Sequence, residues 1–243
     1  MKEFQSKKTD LNEGVYQVIR SVSSPMIKKV FNPIIINNSI IPKDEKSIVY
    51  APNHRSTLDP FIIFSTTTDS IHWAALKRFF DAEDSIFNNS KNPILCYLTK
   101  YLFLSMGLIP IDRNSSNIDS LRLMNNLLKE KRNLGIFPEG TTNKHPELYD
   151  IGPVKPGLTA IARTNNAWIL PISILWIEDE KIKNKVIINY RTPFLPSEMT
   201  KSEATDLWIK EVQSGIDENR EIIKSLKKIS SDKDLSILSL KIK

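Results

Sequence analysis

The stretch "SIVYAPNHRSTLDP" (residues 47–60) passes from a strand-like run to a helix opening within one short loop. Residues 47–51 are short and mostly apolar, as a buried strand is. Asp59 followed by Pro60 is a good helix start, because the carboxylate can cap orphan N–H groups and proline suits the first helical position. Ser56-x-x-Asp59 also fits a variant of the capping box. Between strand and helix lies Asn53-His54-Arg55. His54 and Asp59 therefore have two compatible readings: a catalytic pair held at a strand end, and a helix cap.

Working outward, similar runs recur at 71–75, 107–111, 133–137, 168–174 and 185–190. Helical patterns separate them at 93–105, 115–131 and 156–166. In the second of these, Ile118, Leu121, Leu123, Met124, Leu127 and Leu128 fall largely on one stripe. Strands alternating with helices predict an α/β fold: a mixed, largely parallel sheet flanked by helices. Ligands of such sheets gather beyond the carboxyl ends of the strands.

The ends of the chain differ from this centre. Residues 1–33 are expected to form an amphipathic, membrane-associating segment, with Pro25 dividing two short helices and Lys28 and Lys29 near the end. Residues 34–198 form the α/β domain. Residues 199–243 carry a long polar helix and a lysine-rich tail. No run reaches the roughly 20 apolar residues of a spanning helix. The start, "MKEFQSKKTDLNEG", lacks the apolar core of a signal peptide. The expectation is a peripheral protein on the cytoplasmic face of a membrane.

Composition narrows the class further. The 243 residues carry 34 basic and 28 acidic side chains, a net +6 that suits anionic lipid or phosphate-bearing partners. Basic residues are scattered and no aromatic-rich nucleic-acid motif appears, which argues against a nucleic-acid partner. Three histidines and one cysteine give no metal-ligand spacing, so no metal is expected. Cys96 sits in an apolar helical pattern and reads as a core residue. No G-x-S-x-G elbow marks a serine nucleophile, so Ser56 and Thr57 are not assigned one. His72 and His145 have no supporting pattern.

Two further blocks share the chemistry of the first. "GLIPIDR" (107–113) and "FPEGTT" (137–142) also stand where a strand gives way to a loop, and five of the seven glycines fall between 107 and 157. That clustering suggests turns gathered at one functional edge.

With these blocks in hand, the sequence resembles the glycerolipid acyltransferases typified by 1-acylglycerol-3-phosphate acyltransferase. Asn53, His54 and Asp59 match the family's NH-x4-D element. Gly107, Ile109, Pro110, Ile111 and Arg113 match its second element, and Phe137, Pro138, Glu139, Gly140 and Thr141 its third. A weaker fourth is matched by "ILPISI" around Pro171, and Lys155 and Gly157 extend the likeness. The resemblance implies transfer of a fatty acyl chain from a thioester, acyl-acyl carrier protein or acyl-coenzyme A, to the free hydroxyl of a lysophospholipid. The product would be phosphatidic acid, and no other cofactor is implied.

Within that resemblance His54 is the general base and Asp59 its orienting partner. Arg113 is the main phosphate contact. Glu139 is assigned to the glycerol part, and Gly140, Thr141, Asn53, Lys77 and Lys155 to the substrate site, with Arg78 a further candidate. Thr142 stands where the family commonly has arginine, so the cation there is either missing or supplied by Lys144, Lys155 or Arg163. This leaves open a different lysolipid, or another amphiphile, as acceptor.

Overall fold

The computed structural model describes residues 11–76, 103–111, 118–146, 148–179 and 182–231. Lys77, Arg78, Cys96, Arg113 and most of the expected helix 93–105 lie outside the described residues. Helix α1 spans Glu13–Phe31, followed by β1 (Ile34–Ile36), β2 (Ile48–Pro52), α2 (Asp59–Thr66), β3 (Ile71–Leu76) and β4 (Ile109–Ile111). Then come α3 (Ile118–Lys129), β5 (Asn133–Gly135), α4 (Gly157–Thr164), β6 (Trp168–Trp176), β7 (Val186–Tyr190) and α5 (Lys201–Ser231).

The strands form a seven-stranded sheet in the order β1-β7-β6-β2-β5-β3-β4. From β6 to β4 every neighbour is parallel; β7 pairs antiparallel with β6, and β1 is parallel to β7. The sheet is thus mixed and mostly parallel, as the alternation of elements predicts. Strand β2 lies inside it and buries all five residues. Its side chains alternate between faces, as the period of two requires. Val49 and Ala51 meet α3, α4 and α5 through Leu127, Leu158, Trp208 and Val212. Ile48 and Tyr50 face the other way, into the layer of Ile62 and Ile63 from α2 with Ile27 and Phe31 from α1.

Two local expectations change. Pro25 does not divide the N-terminal segment: α1 is one helix with Pro25 inside it. Proline removes one ladder bond, and tertiary contact at both ends holds the helix across the gap. Tyr16 packs edge-on to Phe64 of α2, and Phe31 packs edge-on to Trp176. Asn12 caps the start, and Asn32 ends the helix in the left-handed region at φ 42°. The glycines are not all at one edge either. Gly107 approaches His72 on β3, and Gly135 lies under the Trp73 ring.

Helix α1 leaves one face bare. Val18, Val22, Met26 and Val30 recur every four residues and are 65–66% exposed. Among the described residues no helix is long and apolar enough to cross a membrane.

His72 is buried in β3, and burial, with Arg132 adding to it, lowers its pKa to about 4. The folded value lies below the unfolded one, so the neutral ring's contribution is complete above about pH 6.5 and is lost as pH falls towards 4. We expect urea unfolding at pH 5 to show wild type losing about 2 kcal/mol more, relative to pH 7, than His72→Asn. An equal loss in both proteins would mean that His72 does not titrate during acid unfolding.

Candidate active site

The site is built at the carboxyl ends of β2, β5 and β6. Strand β2 ends at Pro52, and Asn53 extends its pairing with β6: its backbone N–H donates to Ile172 O at 3.2 Å. The Asn53 side chain donates to Ile174 O at 3.1 Å and accepts from Ile174 N–H at 2.7 Å. Asn53 is fully buried. Its expected contact with substrate is therefore corrected: the amide completes a strand end, and both its groups are committed to backbone.

His54 comes next. Its ring lies against Phe137, with centroids 3.9 Å apart and planes 24° from parallel, and Phe137 stacks in turn on Trp73. The ring Nδ1 stands 3.0 Å from Asp59 Oδ2; the His54 side chain is 15% exposed and that of Asp59 0%. A carboxylate only accepts, so Nδ1 carries the shared hydrogen and Nε2 keeps its lone pair.

Asp59 does more than hold the imidazole. Its Oδ2 also accepts from the backbone N–H groups of Arg55 at 2.7 Å and Ser56 at 2.8 Å. Ser56 Oγ accepts from Leu58 N–H at 3.2 Å. Asp59 opens α2, but the cap residue is Leu58, which makes no side-chain bond, so the expected capping of helical N–H groups is not made and the carboxylate turns back on the His54 loop instead. Its other oxygen, Oδ1, accepts from Trp176 Nε1–H at 2.8 Å. Four donors on one buried carboxylate leave it little freedom to turn.

Glu139 braces the same loop from the β5 side. Its Oε1 accepts from His54 N–H and its Oε2 from Gly152 N–H, each at 2.7 Å. A Cβ at Gly152 would stand 2.6 Å from Oε2, so glycine is what lets this backbone approach. Burial pushes the Glu139 pKa up, and the two N–H bonds offset part of that. Both carboxylate oxygens thus point at loop backbone, a role that the resemblance did not include. Gly140 has φ +68°, where glycine is at ease, and Lys155 lies over it: a Cβ there would be 2.9 Å from Nζ. Lys155 N–H donates to Pro138 O at 2.9 Å. Lys155 is exposed, which leaves a cation on the Glu139–Thr141 turn.

Helix α5 reaches this loop as well. Arg220 forms an ion pair with both oxygens of Asp150, and Gln213 Nε2 donates to Asp150 Oδ2 at 2.8 Å. Burial raises the Asp150 pKa, but the Arg220 and Gln213 bonds outweigh it and hold the carboxyl below its usual range. Arg55 Nη1 donates to Asp150 O at 3.2 Å. Asn143 N–H donates to His54 O at 2.8 Å.

The structure therefore brings His54, Asp59, Glu139, Gly140 and Lys155 into one cluster of strand-end loops, with Thr141 following in the same turn. Lys144 is exposed in the adjoining loop. Arg163 is excluded as a substitute cation: it ends α4 beside the start of β6, at the amino edge of the sheet. Trp176, Asp150, Arg220 and the bracing use of Gly152 have no motif to announce them. Phe137 was legible only as a member of its block.

A family model described as Acyltransferase matches residues 33–175. The chain is 26% identical over 137 residues to "1-acyl-sn-glycerol-3-phosphate acyltransferase BAT2, chloroplastic" of Brassica napus, covering 56% of this chain and 35% of the relative. It is 27% identical over 138 residues to "1-acyl-sn-glycerol-3-phosphate acyltransferase LPAT1, chloroplastic" of Arabidopsis thaliana, covering 56% and 33%. The chain thus spans about a third of the length of these curated relatives. In fold it is similar to the crystal structure of the 1-acyl-sn-glycerophosphate (LPA) acyltransferase PlsC from Thermotoga maritima. The TM-score is 0.57 at 18% identity, over 83% of this chain and 82% of that one.

Proposed function

The chain belongs to the Acyltransferase family, and we propose that it moves a fatty acyl group from a thioester to the hydroxyl of a lysophospholipid, with 1-acylglycerol-3-phosphate the first choice of acceptor and phosphatidic acid the product. The observation that carries this reading is the His54–Asp59 pair, with Nδ1 held at 3.0 Å and Nε2 left for a substrate. A hydroxyl is a poor nucleophile at neutral pH, so its proton must leave as it attacks. His54 Nε2 takes that proton while the hydroxyl oxygen bonds to the thioester carbonyl carbon. The carbon–sulfur bond then breaks, and the proton passes from His54 to the departing thiolate. Asp59 stabilises the imidazolium in between. The donor is the thioester of coenzyme A or of acyl carrier protein.

The acceptor's phosphate needs cations. Lys155 at the Gly140 turn is one candidate within the described residues, and Arg113 and Lys77 remain candidates outside them. Thr142, where arginine is common, supports a second reading in which the acceptor is a lysolipid with a larger headgroup.

A lipid acceptor implies work at a membrane surface, and α1 supports that. Its bare stripe of Val18, Val22, Met26 and Val30 would enter the interface while Lys28 and Lys29 meet anionic headgroups.

One experiment tests all three parts. Purified protein is given each thioester with a panel of lysolipids, in detergent and in anionic vesicles, and the lipid products are identified. Phosphatidic acid from 1-acylglycerol-3-phosphate is the expected product; preference for another lysolipid would favour the second reading. Val22→Glu with Met26→Glu should lower activity on vesicles and spare activity in detergent. Equal losses in both would remove α1 from the membrane contact.

A further inference from the structure

The catalytic carboxylate has one partner that the general-base chemistry leaves unused. Trp176 is the last residue of β6, and its indole N–H meets Asp59 Oδ1 at 2.8 Å. We propose that Trp176 is a positioning residue, which orients Asp59 against His54 and is itself steadied by Phe31 at the end of α1.

The argument begins with the freedom of a carboxylate. Rotation about the last torsion of aspartate is broad. His54 Nδ1 and the Arg55 and Ser56 N–H groups all converge on Oδ2. Donors gathered on one oxygen leave the group free to tilt about that oxygen. A donor on the second oxygen fixes the plane. Trp176 Nε1–H supplies it, and an indole can only donate, so the contact has one sense.

The fold explains why this residue reaches the site. The register of β6 with β2 ends at Ile172 opposite Pro52, and β6 runs on to Trp176 while the segment after β2 turns through His54 into α2. The side chain at that overhang faces the first residue of α2. Its ring also packs edge-on against Phe31, at 5.6 Å and 87°. Phe31 is anchored in turn, since its carbonyl accepts from Lys185 N–H at 2.8 Å in the β6–β7 connection. Three elements thus end on one carboxylate: α2 contributes it, β6 holds its far oxygen, and α1 steadies the holder.

The kinetic part of this proposal rests on the acyl-transfer reading, while the structural part does not. Trp176→Phe keeps a ring against Phe31 and removes only the N–H. In the full chain it should lower kcat roughly ten-fold, the worth of one hydrogen bond to a charged group, with both KM values within about two-fold. In an Asp59→Asn background the same change should cost little more, because its route of action has already been lost. A side chain that merely packs would add its full loss there. A second readout needs no activity. The indole N–H resonance of Trp176, identified by its absence from Trp176→Phe, should shift in Asp59→Asn and stay in place in His54→Ala. Wild-type turnover by Trp176→Phe, an additive double variant, or an indole signal indifferent to Asp59→Asn would each overturn the proposal. If wild type transfers no acyl group from any thioester, the proposed function fails, and the indole resonance alone decides whether Trp176 holds Asp59.

Discussion

Replacing His54 with alanine is expected to remove acyl transfer while the protein still folds. General-base catalysis contributes roughly 10²–10⁴-fold, and the loss should be at least that large because no other described side chain is placed to take the proton. The fold should survive because the loop is fastened by backbone groups that alanine retains. His54 N–H would still reach Glu139, and His54 O would still accept from Asn143. What goes is the ring between Phe137 and Asp59, at a partly open position. The checks are kcat with both KM values, the melting temperature and thioester binding. Unchanged kcat in a folded His54→Ala protein would end the general-base assignment.

Asp59→Asn should be nearly as severe, and it should also cost stability. Three donors converge on Oδ2 and one on Oδ1. An asparagine serves best with its oxygen at the crowded position, which turns its NH2 towards the Trp176 N–H. Two donors then face each other in a buried site, and leaving one unpaired costs about 1–3 kcal/mol. The imidazolium formed during attack would lose its counter-charge. We expect kcat to fall about 10³-fold or more, with a lowered urea midpoint. A fall in stability with activity reduced by less than about threefold would leave Asp59 as a brace of the Arg55–Ser56 backbone alone.

The fold was legible where hydrophobic period and element type agree. Strand β2, the stripe on α3 and the long α5 all stand within a few residues of their expected places. The reversal at the sheet edge was not legible. The run at 185–190 reads as a strand, but its direction depends on the connection after Trp176, which carries no turn signature. Strand β1 is only Ile34-Ile35-Ile36, too short for its period to register. Pro25 does not break α1 because the rule for proline is local, while the contacts that hold the helix together are tertiary. In the site, His54, Asp59 and Glu139 announced themselves because they stand in compact blocks. Trp176 is 117 positions from Asp59, and Arg220 is 70 from Asp150. Such pairs become neighbours only when the sheet order is known.

The loop from Asn53 to Ser56 belongs to no strand or helix, yet each of its four successive N–H groups has a partner. Asn53 donates to Ile172 O, His54 to Glu139, and Arg55 and Ser56 to Asp59. Surface loops ordinarily exchange their amide hydrogens with water through small local openings. Here an opening at Arg55 or Ser56 would strip donors from a buried carboxylate, so exchange is tied to the larger event that separates α2 from the end of β2. In deuterium labelling the segment should hold its hydrogens as long as the adjoining strand does. The His54 loop is, by that measure, an extension of the sheet.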